Sequence, residues 1–212
     1  MALFLDIILH LDTYLGTIIA QFGNWTYLIL GLIIFCETGL VVTPFFPGDS
    51  LLFTAGTLAA PGYLDPWLLF IVIALAAILG DAVNYQIGAY FGPKMFHSEK
   101  SRFFKREYLE STRRFYEKYG GKTIILARFL PVVRTFAPFV AGIGAMSYWR
   151  FAVYNIAGGA LWSAIFVWGG YYFGNLEVVK NNFSIFIILI IAVSFLPGLA
   201  EYAKYKHRQR DV

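Results

Sequence analysis

Long apolar runs separated by short polar breaks set the frame of this chain. Four of them, 24–42, 67–91, 150–173 and 183–200, have the length an α-helix needs to cross a hydrocarbon core, about 20 residues. None alternates in and out over ten residues as barrel strands do. The pattern predicts an all-α, polytopic helical membrane protein. Residues 1–22 are also apolar, but Asp6, His10 and Asp12 interrupt them, so this stretch either spans or lies along the interface as an amphipathic helix.

Two further apolar blocks are broken. Residues 37–60 open with "ETGLVVTPFFPGDS" and carry Pro44 and Pro47; residues 123–146, "TIILARFLPVVRTFAPFVAGIGAM", carry Pro131 and Pro138. Each proline removes a helical hydrogen bond, so neither block reads as one straight helix. Both are expected to be re-entrant hairpins. The predicted organisation is a single membrane domain over 1–212. It comprises N-terminal helices in 1–36, a first hairpin over 37–60, a span over 67–92 and a basic segment over 93–122. A second hairpin over 123–146, spans over 150–174 and 183–203, and a basic tail over 204–212 complete it.

Charge orients this arrangement. Segment 93–122 holds nine Lys or Arg against four acids, and the tail "KYKHRQR" holds four more basic residues. The connections at 61–66 and 175–182 carry Asp65 and Glu177 with only Lys180. The positive-inside rule then places 93–122 and the C-terminus in the cytoplasm. An even number of crossings must join them. Spans 150–173 and 183–200 supply two, so the block 123–146 enters and leaves on the cytoplasmic side. The block 37–60 enters from the opposite side. Within the basic segment, Phe104, Tyr108, Phe115 and Tyr119 form one helical stripe and Lys105, Arg106, Arg113 and Lys118 lie mostly off it, with Gly120-Gly121 as a stop. That predicts an amphipathic helix resting on anionic lipid.

The broken blocks resemble each other. "PFFPGDSLLFTAG" and "PVVRTFAPFVAG" both run from proline through polar residues to Ala-Gly, and "DAVNYQIGAYFG" and "SAIFVWGGYYFG" close the spans that follow them. Hairpins entering from opposite faces make this an inverted repeat, the sequence pointer to a transporter. Gly80, Asn84, Gly88 and Gly92 add a small-residue stripe suited to close helix packing.

Five charges fall within these apolar blocks: Glu37, Asp49, Asp81, Arg128 and Arg134. On insertion scales each costs about 2.5–3.5 kcal/mol near the bilayer centre. Together that is more than a typical folding stability, so they must be paired, solvated or protonated. Two arginines on the second hairpin face carboxylates on or near the first, and pairing between hairpin tips solves the problem. As structure alone, the charges staple the hairpins together, and Asp49 with Ser50 caps the helix after Pro47-Gly48. As function, Arg128 and Arg134 bind a phosphate through their planar donor forks, while Glu37 and Asp49 carry protons. Asp81, Tyr85, Ser50 and Thr135 are secondary candidates.

Composition narrows the classes further. The chain is 58% hydrophobic and 14% charged with a net charge of +4, and its first Lys or Arg is Lys94. With no basic region near the start, a cleaved signal peptide is not expected. The lone Cys36 and the dispersed His10, His97 and His207 offer neither an internal disulfide nor a metal cluster. There is no Gly-x-Ser-x-Gly elbow or zinc signature, so an enzyme is not expected, and no cofactor or nucleic acid is implied.

The motifs "FCETGLVVTPFFPGDSLLFTAG", "GDAVNYQIGAYFG", "ARFLPVVRTFAPFVAGIGAMSYWRF" and "NIAGGALW" together resemble the DedA family of bacterial inner-membrane proteins, which carry the VTT (SNARE-associated) domain. The resemblance spans about residues 5 to 200. It implies a bacterial inner-membrane, multi-pass protein that moves lipids between leaflets as a flippase or scramblase. The lipid would be undecaprenyl phosphate or a phospholipid such as phosphatidylethanolamine, with dependence on the proton motive force. It also implies that the family's functional acids and arginines fall on Glu37, Asp49, Arg128 and Arg134. Protons and membrane lipids are thus the expected partners, and a homo-oligomer is left open. The alternatives are a proton-coupled exporter of cations or drugs, and a scaffold without transport.

Overall fold

A computed structural model of the chain describes residues 10–40, 48–96, 120–144 and 146–194. The expected amphipathic helix over 104–119, the basic tail, Pro44 and Pro47 lie outside the described residues. Every regular element among the described residues is helical: α1 (Leu11–Phe22), α2 (Trp25–Gly39), α3 (Gly48–Ala59), α4 (Pro66–Phe96), α5 (Lys122–Ala127), α6 (Pro131–Ile143), α7 (Tyr148–Phe173), α8 (Glu177–Lys180) and α9 (Phe183–Ser194). Stretches Pro66–Phe91 of α4 and Tyr148–Phe173 of α7 are each 26 residues long with few charges, enough to cross a membrane. This is an all-helical membrane protein.

Local chemistry explains the breaks. Gly23 takes a positive φ (52°) and donates its N–H to the Ile19 carbonyl, which lets α2 start after only two intervening residues. The second broken block is interrupted at Arg128–Leu130. Leu130 is extended and Pro131 then opens α6 at its first position, where its missing N–H costs nothing. Pro138 does not break the chain: it sits inside α6, which continues to Ile143. One break, not two, divides this block, because only Pro131 coincides with an extended residue before it.

The helices gather into two compact units. The first is drawn from 1–23, 47–66 and 166–212; the second from 24–46 and 67–165. In the first, α1 packs on α3, and Phe53, Val179 and Ile187 form a core with Phe183, Phe186, Ile190 and Ile191 around them. In the second, Tyr85, Ile124, Ala137, Ala141, Met146 and Phe151 close a core where α4, α5, α6 and α7 meet.

Both units contain the same glycine crossing. In the first unit, a Cβ on Gly56 of α3 would overlap the Val167 carbonyl of α7, and one on Gly170 would overlap the Phe53 carbonyl. In the second, a Cβ on Gly142 of α6 would overlap the Tyr85 carbonyl of α4, and one on Gly88 the Phe139 carbonyl. Phe53 and Gly56 therefore play the parts of Phe139 and Gly142, and Val167 and Gly170 those of Tyr85 and Gly88. The repeated Ala-Gly and Gly-x-Tyr-Phe-Gly sequences are the two sides of one backbone-to-backbone contact, formed twice. Each short helix packs on the long helix of the other half of the sequence.

In the second unit α4 and α7 run antiparallel. Ile78 lies against Gly159, whereas Tyr85, seven residues on, stacks on Phe151 at 4.5 Å. Trp67 at one end and Trp149 at the other are both well exposed. Counting helical rise from Trp67 to the level of Trp149 gives about 30 Å, the thickness of a hydrocarbon core. Exposed aromatics at that separation suit two membrane interfaces.

Candidate functional site

The second unit buries four charged side chains in one place. Glu37 lies near the end of α2, Asp81 in the middle of α4, Arg128 at the end of α5, and Arg134 one turn into α6. None is more than 5% exposed. Arg134 Nη2 is ion-paired with Glu37 Oε1, and Arg128 Nη2 with Asp81 Oδ2. The break in the second block creates this geometry, because it turns the chain between the two arginines. Both guanidiniums then reach the ring of Trp162 on α7, with their central carbons 6.0 Å (Arg128) and 5.2 Å (Arg134) from its centroid.

Neutral groups complete the setting. Asn155 Oδ1 on α7 accepts from Arg128 Nη2 at 2.8 Å, and its amide nitrogen donates to the Ile78 carbonyl at 2.9 Å. Gly159, one turn further along α7, leaves room for the guanidinium: a Cβ there would lie 2.8 Å from Arg128 Nη1. Asn84 donates to the carbonyls of Thr38 at 3.0 Å and Thr135 at 2.7 Å. Thr38, Asp81, Ile124, Arg128, Arg134, Pro138 and Trp162 line a small cavity here, with space for about one water-sized sphere.

The residues singled out in the sequence belong to both units. Glu37, Arg128, Arg134 and Asp81 come together, and Thr135 joins them through its carbonyl. Asp81 is as much a member as Glu37, since it is the acid that meets Arg128. Asp49 belongs to the first unit. Helix α3 already includes Gly48, so Asp49 occupies its first turn rather than the cap, and its Oδ2 accepts from Ser194 Oγ of α9 at 2.8 Å. Ser50 lies beside it, fully buried, and its carbonyl accepts from Thr54 Oγ1 at 2.8 Å. Tyr85 gives its hydroxyl to the Met146 carbonyl and its ring to Phe151, inside the apolar core rather than beside the arginines. Sequence reading assigned no role to Asn155, Trp162 or Ser194. Asn155 and Trp162 stand in the "NIAGGALW" stretch, a polar and an aromatic residue one face apart from a glycine pair, which was the available signal.

An all-helical membrane fold with arginine–carboxylate pairs sealed around a tryptophan defines the class. The VTT domain matches residues 46–172. Protein DedA of Escherichia coli strain K12 is 54% identical over 95% of this chain and 93% of its own length. An uncharacterized membrane protein of Mycobacterium leprae is 46% identical over 84% of this chain and 81% of its own. Inner membrane protein YqjA of Escherichia coli strain K12 is 30% identical over 82% and 80%. The chain belongs to the DedA family. No solved structure matches it.

Proposed function

We propose that this protein moves a phosphate-headed lipid, undecaprenyl phosphate or a phospholipid, between the leaflets of a bacterial inner membrane. In this reading the chain crosses several times, its C-terminus is cytoplasmic and its two broken blocks are re-entrant. The observation that carries the proposal is the pair of buried arginines, each held by one carboxylate from a different helix over a shared tryptophan face. A buried ion pair adds little stability compared with apolar packing, so its retention asks for another reason.

The cavity is too small for a phosphate while the pairs are closed. A head group binds only if the arginines leave their carboxylates. Arg128 is suited to begin this. Its Nη2 is shared by Asp81 and Asn155, whereas its buried Nη1 has no hydrogen-bond partner among the described residues. Once phosphate oxygens occupy the guanidinium forks, Glu37 and Asp81 lose their countercharges in a buried site. A carboxylate in that position takes a proton rather than stay charged. Lipid entry is then linked to uptake of up to two protons, and exit releases them. Asp49, which accepts from Ser194 Oγ in the first unit, is a further carboxylate able to carry a proton in this reading. The reading includes no chemical transformation and no cofactor.

The test is reconstitution into vesicles with fluorescent undecaprenyl phosphate or phosphatidylethanolamine in one leaflet. The protein should speed transfer of one of them well above empty vesicles, and Arg128→Gln or Arg134→Gln should return it to that background. Transfer no faster than in empty vesicles, with the protein folded and monodisperse, rejects the proposal.

A further inference from the structure

Asn84 is fully buried on α4, one turn after Gly80 and one turn before Gly88. Its side-chain nitrogen donates both hydrogens to backbone carbonyls, those of Thr38 and Thr135. These are the residues that directly follow Glu37 and Arg134. One amide therefore ties the end of α2 to the start of α6 immediately beside the ion pair those helices share. The amide orientation is fixed, because turning it over would aim Oδ1 at two carbonyl oxygens. As it stands, Oδ1 is buried with no hydrogen-bond partner among the described residues, so the two donated bonds determine the geometry.

The need is local. Helix α2 ends at Gly39, so the Thr38 carbonyl lies among the last four, which have no donor within their own helix. The seam around it is tight: a Cβ on Gly80, one turn before Asn84, would overlap Thr38 Oγ1. A neutral double donor fits there without adding a third charge to Glu37 and Arg134.

We infer that Asn84 is a positioning residue, a latch that holds the backbone segments of Glu37 and Arg134 together and keeps their ion pair shut. The inference deepens the lipid-transport reading, in which that pair must part, but the latch itself needs no transport to be observed. Without the two donors, α2 and α6 separate more often at this point while the rest of the unit stays packed.

Thiol accessibility in the full-length purified protein tests it. Cys36 is replaced by Ser, and a single cysteine is placed at buried Thr38 or, as control, at buried Thr26 near the other end of α2. With Asn84→Leu, a small methanethiosulfonate should modify Cys at 38 about tenfold faster than with Asn84, the change expected from two lost hydrogen bonds worth about 1.4 kcal/mol in all. The Thr26 site should react at an unchanged rate. An unchanged rate at 38, or equal rises at 38 and 26, overturns the latch, the second by showing general loosening. If Asn84→Leu does not fold, Asn84→Ser, which keeps one donor, should give a smaller rise at 38 alone, and the same two outcomes count against it. The rates do not depend on whether either labelled lipid moves, so failure of the transport reading and failure of the latch are told apart.

Discussion

At the residue scale the site is a matter of charge balance. Arg128 pairs with Asp81 and Arg134 with Glu37, and the two buried pairs balance in charge beside a cavity with space for about one water-sized sphere. Removing one member leaves the other buried without its countercharge, which costs about 3–5 kcal/mol. Arg128→Gln should therefore destabilise the protein by that order in guanidinium or thermal unfolding, because it strands Asp81. Arg128→Gln combined with Asp81→Asn should recover at least about 1 kcal/mol of the summed single losses, the coupling expected of groups in direct contact. Strict additivity in the double-mutant cycle would mean the pair does not form. Trp162→Leu removes the aromatic face under both guanidiniums. It should weaken retention of a phosphate lipid on the purified protein, read by native mass spectrometry, more than Trp162→Phe, which keeps a π face. The charged members of this site were legible in the sequence, because a charge in an apolar run is conspicuous at once. The neutral ones were not. Asn155 acts through Arg128 and Ile78, 27 and 77 residues away, and a lone Asn in a long apolar helix does not announce partners at that separation.

At the element scale the fold depends on close backbone approach at two equivalent crossings. Gly142→Ala should force α6 and α4 apart and cost about 1–3 kcal/mol, as overfilling a packed core does, and Gly56→Ala should do the same to α3 and α7. Gly169→Ala is the contrast, since nothing lies within 4 Å of its added methyl. It should stabilise α7 by about 0.5–1 kcal/mol through helix propensity alone. Thermal unfolding in detergent checks all three, and a Gly142→Ala protein as stable as Gly169→Ala would contradict the crossing. The repeat was legible because glycine spacing records where backbones meet. Which helix meets which was not. The sequence places each short helix before the long helix of its own half, whereas the structure packs it on the long helix of the other half. Proline gave mixed guidance for a related reason: Pro131 starts a helix and Pro138 is carried within one, and only the conformation of the preceding residue separates the cases. Asp49 stands out in the sequence as a charge in an apolar run, but Ser194 on α9, which donates to it at 2.8 Å, carries no comparable signal 145 residues away.

At the scale of the whole molecule the question is how the second unit sits in a bilayer. Trp67 and Trp149 mark opposite ends of the antiparallel pair α4 and α7, about 30 Å apart by helical rise. Asp81 is 14 residues beyond Trp67, or about 21 Å along α4, so the ion pairs lie about two-thirds of the way toward the Trp149 end. In the proposed topology that end faces the cytoplasm. A head group approaching from the Trp67 side would then have the longer path to the arginines, and the Trp67 side is where a closed seam matters most. Single-tryptophan proteins retaining only Trp67 or only Trp149, reconstituted with lipids brominated near the head group or near the chain end, examine this placement. Both residues are exposed on the helix surface, 63% and 78% respectively, so bromines can reach them. Shallow bromines should quench each more strongly than deep ones. Stronger quenching of either by deep bromines would move that end of the helix pair into the hydrocarbon and displace the arginines with it. The site would then no longer lie nearer one interface, and the asymmetry assigned to the two sides of the transport path would have to be abandoned.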